Sequence, residues 1–366
     1  MLTRADLDEA VKSGLITEGQ AAALQELPAK RQAARHRHAL ADERFVFMKN
    51  FNEFFIALGV VLLAIGIMFA MPLFTAPAES FLDAALPYLG LNTAFGLYLG
   101  IFALFFLVIM WALAEYLTRK LKLTLPSIVL ALFIVPGLAY YIYIFIDALN
   151  EERGWAGVPQ ILLLPGLAAS LAALLFYLRF RLPFALLLLA GSLVVTFIAA
   201  YTRLFGEPSE SAIYGLFLFT GLATLAAAQW YDMSDRERLT RRADCGFWLT
   251  LIAAPLIVHP IAGLISSGAE MTAETSLITI AVVILFTIAA LIIDRRALLV
   301  SSLAYLGGAM VYAFTSLGGE QNALWITLLL IGASVILLGV GWQRARRAVM
   351  SFVPSLLTQY LPVVRS

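Results

Sequence analysis

Ten apolar stretches, each about 20 residues long, recur along the chain between short polar joints, and an α-helix of about that length crosses the roughly 30 Å hydrocarbon layer of a bilayer. Backbone amides have no water to bond inside lipid, so each crossing has to be a helix. The stretches read as Phe54–Phe74, Thr93–Leu117, Ser127–Leu149, Gln160–Tyr177, Leu182–Tyr201, Ala212–Tyr231, Gly246–Ile265, Thr275–Ile293, Ala297–Leu317 and Ala323–Trp342. The predicted fold is all-α: a polytopic membrane bundle of about ten transmembrane helices.

The joints give sidedness. Threaded with the N-terminus in the cytoplasm, the chain places all of its 25 Lys and Arg residues except Arg153 and Arg203 on the cytoplasmic side. An error of one span would move every later basic joint to the wrong face. Both termini are therefore expected in the cytoplasm, with residues 1–50 as a cytoplasmic helical hairpin and basic stretch, 51–343 as the membrane domain, and 344–366 as a basic interfacial tail.

Composition agrees with this class. Hydrophobic residues make up 61% of the chain and charged residues 13%, against roughly 45–50% and 25% in soluble domains. The net charge of +1 gives no global basic field for nucleic acid. Cys245 is the single cysteine, which excludes an intrachain disulfide. Residues 1–30 are polar and helical in pattern rather than a cleavable signal, so insertion is expected to begin at the first span. Trp155 and Trp325 at one boundary, and Trp230, Trp248 and Trp342 at the other, suit interfacial anchors. Glu53, Glu115 and Asp147 lie near span ends, where a carboxylate reaches water, and ion coupling usually needs a deeper one.

The N-terminal segment has its own punctuation. Gly14 after Val11 supplies a left-handed helix stop, and Thr17-x-x-Gln20 restarts a second helix through a capping box. Leu7, Ala10 and Val11 can then meet Leu24 and Leu27 in a small hairpin that needs a further surface, since about 30 residues bury little core alone.

The pattern Leu7-x-x-Ala10-Val11-x-x-Gly14-x-Ile16-Thr17-x-x-Gln20-Ala21-x-x-Leu24, followed by Phe51-Asn52-Glu53-x-Phe55-Ile56-x-x-Gly59, resembles the bacterial membrane proteins grouped as domain of unknown function 2157. The far end is similar too, through Trp342, Arg346, Pro354, Leu357, Leu361 and Pro362. The resemblance covers both ends rather than the middle spans. It implies a bacterial inner-membrane protein and brings no established activity.

Several residues are candidates for function, each beside a structural alternative. His259-Pro260 lies within the seventh span, where an ionisable side chain serves as a proton relay or ligand contact, or simply shares a hydrogen bond with a neighbouring helix. Pro136-Gly137-Leu138-Ala139 and Pro165-Gly166-Leu167-Ala168 repeat a tetrapeptide in antiparallel spans three and four, either as broken helices at a cargo site or as packing kinks. Tyr140 follows the first break and would line the same path or serve as an interfacial anchor. Arg35, Arg37, Arg344, Arg346 and Arg347 are candidate contacts for anionic lipid headgroups, or serve topology alone. Gly96-x-x-x-Gly100 and Gly307-Gly308 allow close packing within the bundle or between copies in a homo-oligomer. His36-x-His38 is poorly spaced for a metal on a helix.

No zinc-protease pair, nucleophile elbow, phosphate loop or convergent carboxylates occur, so no catalytic, cofactor or metal residue is assigned. Two functions stay open. One is a transporter or flippase for a lipophilic or lipid-linked small molecule, with kinked spans around His259. The other is a non-transporting scaffold or sensor whose residues 1–30 bind a cytoplasmic protein.

Overall fold

The computed structural model describes residues 9–15, 17, 19–21, 51–71, 73, 91–153, 162–236, 238, 240–266, 273–316, 322–358 and 360–362. Within them the chain forms α1 (Phe51–Phe69), α2 (Leu91–Ala114), α3 (Leu125–Arg153), α4 (Leu163–Phe180), α5 (Phe184–Phe205), α6 (Glu210–Ser234), α7 (Arg241–Ser266), α8 (Ala273–Ile293), α9 (Ala297–Ser316), α10 (Ala323–Met350) and the short α11 (Ser355–Thr358). Among the described residues, 9 helices are long and apolar enough to cross a membrane. The remaining expected crossing is α9, a helix of 20 residues whose described apolar stretch is Leu306–Thr315.

The outer faces explain why this is an integral membrane protein. On α10, Leu329, Ile336, Leu337 and Val340 are 60–87% exposed, and Leu104, Leu171 and Leu285 are 57–65% exposed on α2, α4 and α8. Such contiguous apolar surface is far beyond what a water-soluble monomer tolerates, whereas lipid tails solvate it without penalty.

Packing divides the bundle near its middle. Phe106 and Met110 of α2, Leu130 and Ala131 of α3, and Phe176 of α4 are buried in one core that α1 also enters. A second core joins Ala254 of α7, Ala290 and Leu291 of α8, Leu298 of α9 and Trp342 of α10. Helix α5 spans the two: it packs on α4 and on α7, with Leu186 and Ala190 against Ala228, Cys245 and Leu249. Small residues set the closest approaches. A Cβ on Gly166 would lie 2.6 Å from Thr196 Oγ1 of α5, and one on Gly221 would lie 2.9 Å from the main chain at Leu256 of α7. Gly100 has no such neighbour, and Gly307 meets only Ile331 at 3.6 Å, so neither of these two is a tight contact.

Helix ends depart from the hydropathy boundaries where polar joints continue the helix. Helix α10 runs eight residues past Trp342 through the basic trio to Met350 because Gln, Arg and Ala are good helix formers. Helix α2 continues as a π-helical turn, Glu115–Lys120. The four joints at one end of the bundle, after α2, α4, α6 and α8, each contain a non-glycine residue with positive φ: Lys122, Arg181, Arg238 and Asp294. A charged side chain sits in each where glycine would cost about 1 kcal/mol less. We call this end the basic end, after the Lys and Arg residues of its described joints.

The described part of the N-terminal segment has the expected local geometry. Gly14 has φ 70°, with Gly14 N–H bonded to Val11 O and Leu15 N–H to Ala10 O, which closes the first helix. Thr17 N–H donates to Gln20 Oε1 at 2.9 Å and Gln20 N–H to Thr17 Oγ1 at 3.3 Å, a reciprocal capping box. The hairpin's apolar contacts, and Arg35, Arg37, His36 and His38, lie outside the described residues.

Candidate functional site

The residues expected to form a path do not converge. Pro136 and Tyr140 are exposed on the outside of α3, and His259 is exposed on α7, two helices that α5 separates. His259 stands edge-on to Tyr214 and Phe217 of α6, with ring centroids 6.1 and 6.5 Å away. Tyr214 in turn donates from Oη to Glu210 at 2.9 Å. Pro260 is buried beside it in the α7 interior, and Gly137 is half-buried.

Pro165 does not break α4. The helix begins at Leu163, so the proline occupies its first turn, where a missing N–H costs nothing. Pro165 and Gly166 are buried against α5, where Ser170 donates to Gly166 O at 2.8 Å and to Ser192 Oγ at 3.0 Å. That seam is a satisfied helix contact rather than an opened backbone.

The charged residues at the basic end form two contrasting groups. The first is inside the protein. Arg295 bonds both carboxylate oxygens of Asp232, with its Nε 3.0 Å from Oδ2, and its Nη2 reaches Ala243 O at 3.0 Å. Asp294 accepts from Arg238 Nη1 at 3.1 Å and from Trp342 Nε1 at 2.7 Å, and lies 3.5 Å from Arg346 Nη1. Arg346 also donates to Leu291 O at 3.2 Å and to Pro362 O at 2.7 Å, which ties the tail to α10. Arg236, itself exposed, holds the same tail from outside through Leu361 O and Thr358 O.

Arg346 is therefore fully buried and spent on protein, unlike Arg344 and Arg347, which are exposed as headgroup contacts require. Trp342 is likewise buried at 3% exposure and covered by Arg296 at 5.3 Å, not anchored at the interface; Trp230, 76% exposed, has the anchor's position. Glu53, read as a span-end carboxylate in reach of water, is 2% exposed and accepts the N–H groups of Thr124 and Leu125 where α3 begins. A carboxylate there complements the positive end of the α3 dipole.

The second group faces outward. Between α4, α6 and α7 a cleft of about 800 Å3 opens at the basic end, lined by Tyr177 and Arg181, by Ala226, Ala227, Trp230, Tyr231 and Ser234, and by Arg241, Arg242 and Cys245. The Tyr177 and Tyr231 hydroxyls stand 3.5 Å apart at its back, and Cys245 Sγ lies 3.9 Å from Tyr177 Oη. Arg181 leans over the Tyr177 ring at 6.0 Å. The lining thus combines arginine cations, aromatic faces and two exposed alanines. A volume of this size suits a small molecule or one lipid headgroup.

Hydropathy reasoning missed this cleft because it counted Arg181, Arg241 and Arg242 as topology charges and Trp230 as an anchor. The available signal was weaker: Tyr177 stands one turn before Arg181, while Trp230 and Tyr231 precede Arg241 and Arg242 by ten to twelve residues, across a joint. Among the described residues no group of three or more His, Cys, Asp or Glu side chains is placed to hold a metal ion. No family model matches the chain, and neither does any curated protein or solved structure.

Proposed function

We propose that this integral membrane protein is a transporter or flippase for a lipophilic or lipid-linked small molecule, which enters through the cleft between α4, α6 and α7. The observation that carries the reading is the cleft's mixed lining. Arginines together with aromatic rings and two alanines suit a molecule that has a polar head and an apolar body. The exposed faces of Ala226, Ala227 and Trp230 put its opening on the outside of the bundle, where lipid has lateral access. Prolines inside α3 (Pro136) and α7 (Pro255 and Pro260) supply points where helices can bend as cargo moves.

The basic end is assigned to the cytoplasm, with both termini there, in a bacterial inner membrane. The charge asymmetry of the joints supports the side, and the resemblance of the terminal patterns to domain of unknown function 2157 supports the membrane. The contacts between joints agree with the threading as far as neighbours go: Glu53 meets Thr124, Arg179 meets Glu115, and Arg238 meets Asp294, each pair drawn from joints assigned to one side.

Reconstitution of the full chain in liposomes tests the reading. A fluorescent phospholipid is expected to cross faster than in protein-free vesicles, and Ala227→Trp, which fills the cleft, should return the rate to that baseline. No acceleration by the parent protein, or an undiminished rate in Ala227→Trp, overturns it.

The alternative, a scaffold whose residues 1–30 bind a cytoplasmic protein, is favoured by one observation. The stop at Gly14 and the Thr17–Gln20 box are formed while Leu15 between them is 79% exposed, leaving an apolar side chain on a defined turn. Deletion of residues 1–45 separates the two, since a transporter's flux survives it.

A further inference from the structure

The arginines at the basic end are not equivalent, and the difference points to a ligand. Arg295, Arg238 and Arg346 are buried and paired with Asp232 or Asp294. Arg179 forms a two-pronged pair with Glu115, with Nε–Oε1 2.7 Å and Nη2–Oε2 2.9 Å. Arg236 is committed to the carbonyls of Thr358 and Leu361. Arg119 lies 3.5 Å from Glu115, Arg296 covers Trp342, and Arg344 and Arg347 are exposed on α10. Among the described residues Arg181, Arg241 and Arg242 form no ion pair with a carboxylate, and these three line the cleft.

Three like charges gathered on one opening repel each other, and an anion between them removes that repulsion. Arginine forks match phosphate oxygens in a way single-point ammonium groups do not. The Tyr177 and Tyr231 hydroxyls at the back supply neutral donors, and Trp230, Ala226 and Ala227 offer apolar wall to a chain leaving the cleft sideways. We infer that the cleft binds the phosphate of an anionic membrane lipid, with Arg181, Arg241 and Arg242 on the phosphate and the acyl chains along Trp230.

This rests on the reading of the cleft as the entry for a lipid-like cargo, and names that cargo's class. It is a site for one headgroup, different from the diffuse attraction of the exposed Arg344 and Arg347, which lie on α10 away from it.

The test uses the full chain in nanodiscs of neutral phosphatidylcholine doped with phosphatidylglycerol, with retained lipid counted by native mass spectrometry. The parent protein is expected to keep one phosphatidylglycerol preferentially over phosphatidylcholine. Combined Arg181→Gln, Arg241→Gln and Arg242→Gln should weaken that preference about fivefold per arginine, on the order of 100-fold in all. Arg344→Gln with Arg347→Gln should leave it unchanged. The corresponding Lys triple variant keeps the charge and loses the fork, and is expected to fall between parent and Gln variant.

Equal losses from the cleft set and the α10 pair would mean general surface attraction and overturn the site. Displacement of the retained lipid by millimolar inorganic phosphate would mean that the anion is recognised without its chain, and overturns the lipid assignment. Preference lost in the parent while labelled lipid still crosses liposomes sinks this inference and leaves transport standing. Preference retained with no crossing keeps the site and sinks transport.

Discussion

Asp294 is the residue whose removal should cost this protein most. It occupies the tight joint between α8 and α9 with φ 58°, is 3% exposed, and serves three partners from two other segments: Arg238 in the joint before α7, and Trp342 and Arg346 on α10. Removing one member of a buried pair costs about 3–5 kcal/mol, because the cation left behind is neither hydrated nor neutralised. The lower figure applies here. Arg238 Nη2 keeps the main-chain oxygen of Asp294 at 2.9 Å, and Arg346 keeps Leu291 O and Pro362 O, whatever side chain stands at 294. Loss of the acceptor for Trp342 Nε1 adds about 1 kcal/mol. Asp294→Ala is thus worth about 4 kcal/mol, a factor of about 10^3 in the opening equilibrium. Asp294→Asn tolerates the left-handed backbone and keeps an acceptor for the indole, so it isolates the charge and should cost about 3 kcal/mol.

The chain contains its own reporter for this. Cys245 is the single cysteine, 4% exposed, and its neighbour Gly246 packs directly on Asp232 and Arg295, the residue next to Asp294. When reclosing is fast, the rate of thiol modification follows the open population. Maleimide labelling of Cys245 in detergent micelles should therefore accelerate by two to three orders of magnitude in Asp294→Ala, and less in Asp294→Asn, on the order given by those costs. Labelling of monodisperse Asp294→Ala within about threefold of the parent would refute the claim that this network holds the basic end together.

Three further outcomes are expected. Glu53→Gln removes the charge that α3 presents its first N–H groups to, and should lower stability in detergent by about 1–2 kcal/mol, read from thermal unfolding; an unchanged transition would mean that the carboxylate does not act on the helix. Gly221→Leu forces α6 off α7 at a point where even a Cβ is 2.9 Å from Leu256, costing about 1–3 kcal/mol or more by the same assay, while Gly215→Leu, which meets nothing within 4 Å, should be silent. In a Cys245→Ser background, Arg344→Cys should react in intact cells with permeant but not impermeant maleimide, and labelling by the impermeant reagent would reverse the assigned sides.

The crossings were legible because hydropathy over about 20 residues measures one physical quantity, the cost of placing a segment in lipid, and that cost needs no knowledge of neighbours. Direction around each helix was not legible. A helix apolar on all sides has no stripe to say which face is covered, so His259 and Tyr140 were assigned to a shared interior that the structure does not build. Pro165 was misread for a smaller reason: with α4 starting at Leu163, a few residues turn an interior break into an ordinary first turn. Charges at the joints suffered differently. Counting Lys and Arg assigns a side but no partner, and Asp232 and Asp294, the acids that organise the basic end, are invisible to a rule in which acids hardly count.

Arg179 and Arg181 show how far below that rule the chemistry operates. They stand two residues apart at the end of α4, identical to any count of basic residues. Positions two apart on a helix point in different directions, and the left-handed backbone at Arg181 turns it further. One guanidinium meets Glu115 on α2, and the other leans over Tyr177 at the cleft without a carboxylate. The first is a partly exposed pair worth at most about 1 kcal/mol. The second keeps its donors for whatever enters between α4, α6 and α7, and it does so at a backbone position where glycine would relieve strain and abolish the charge.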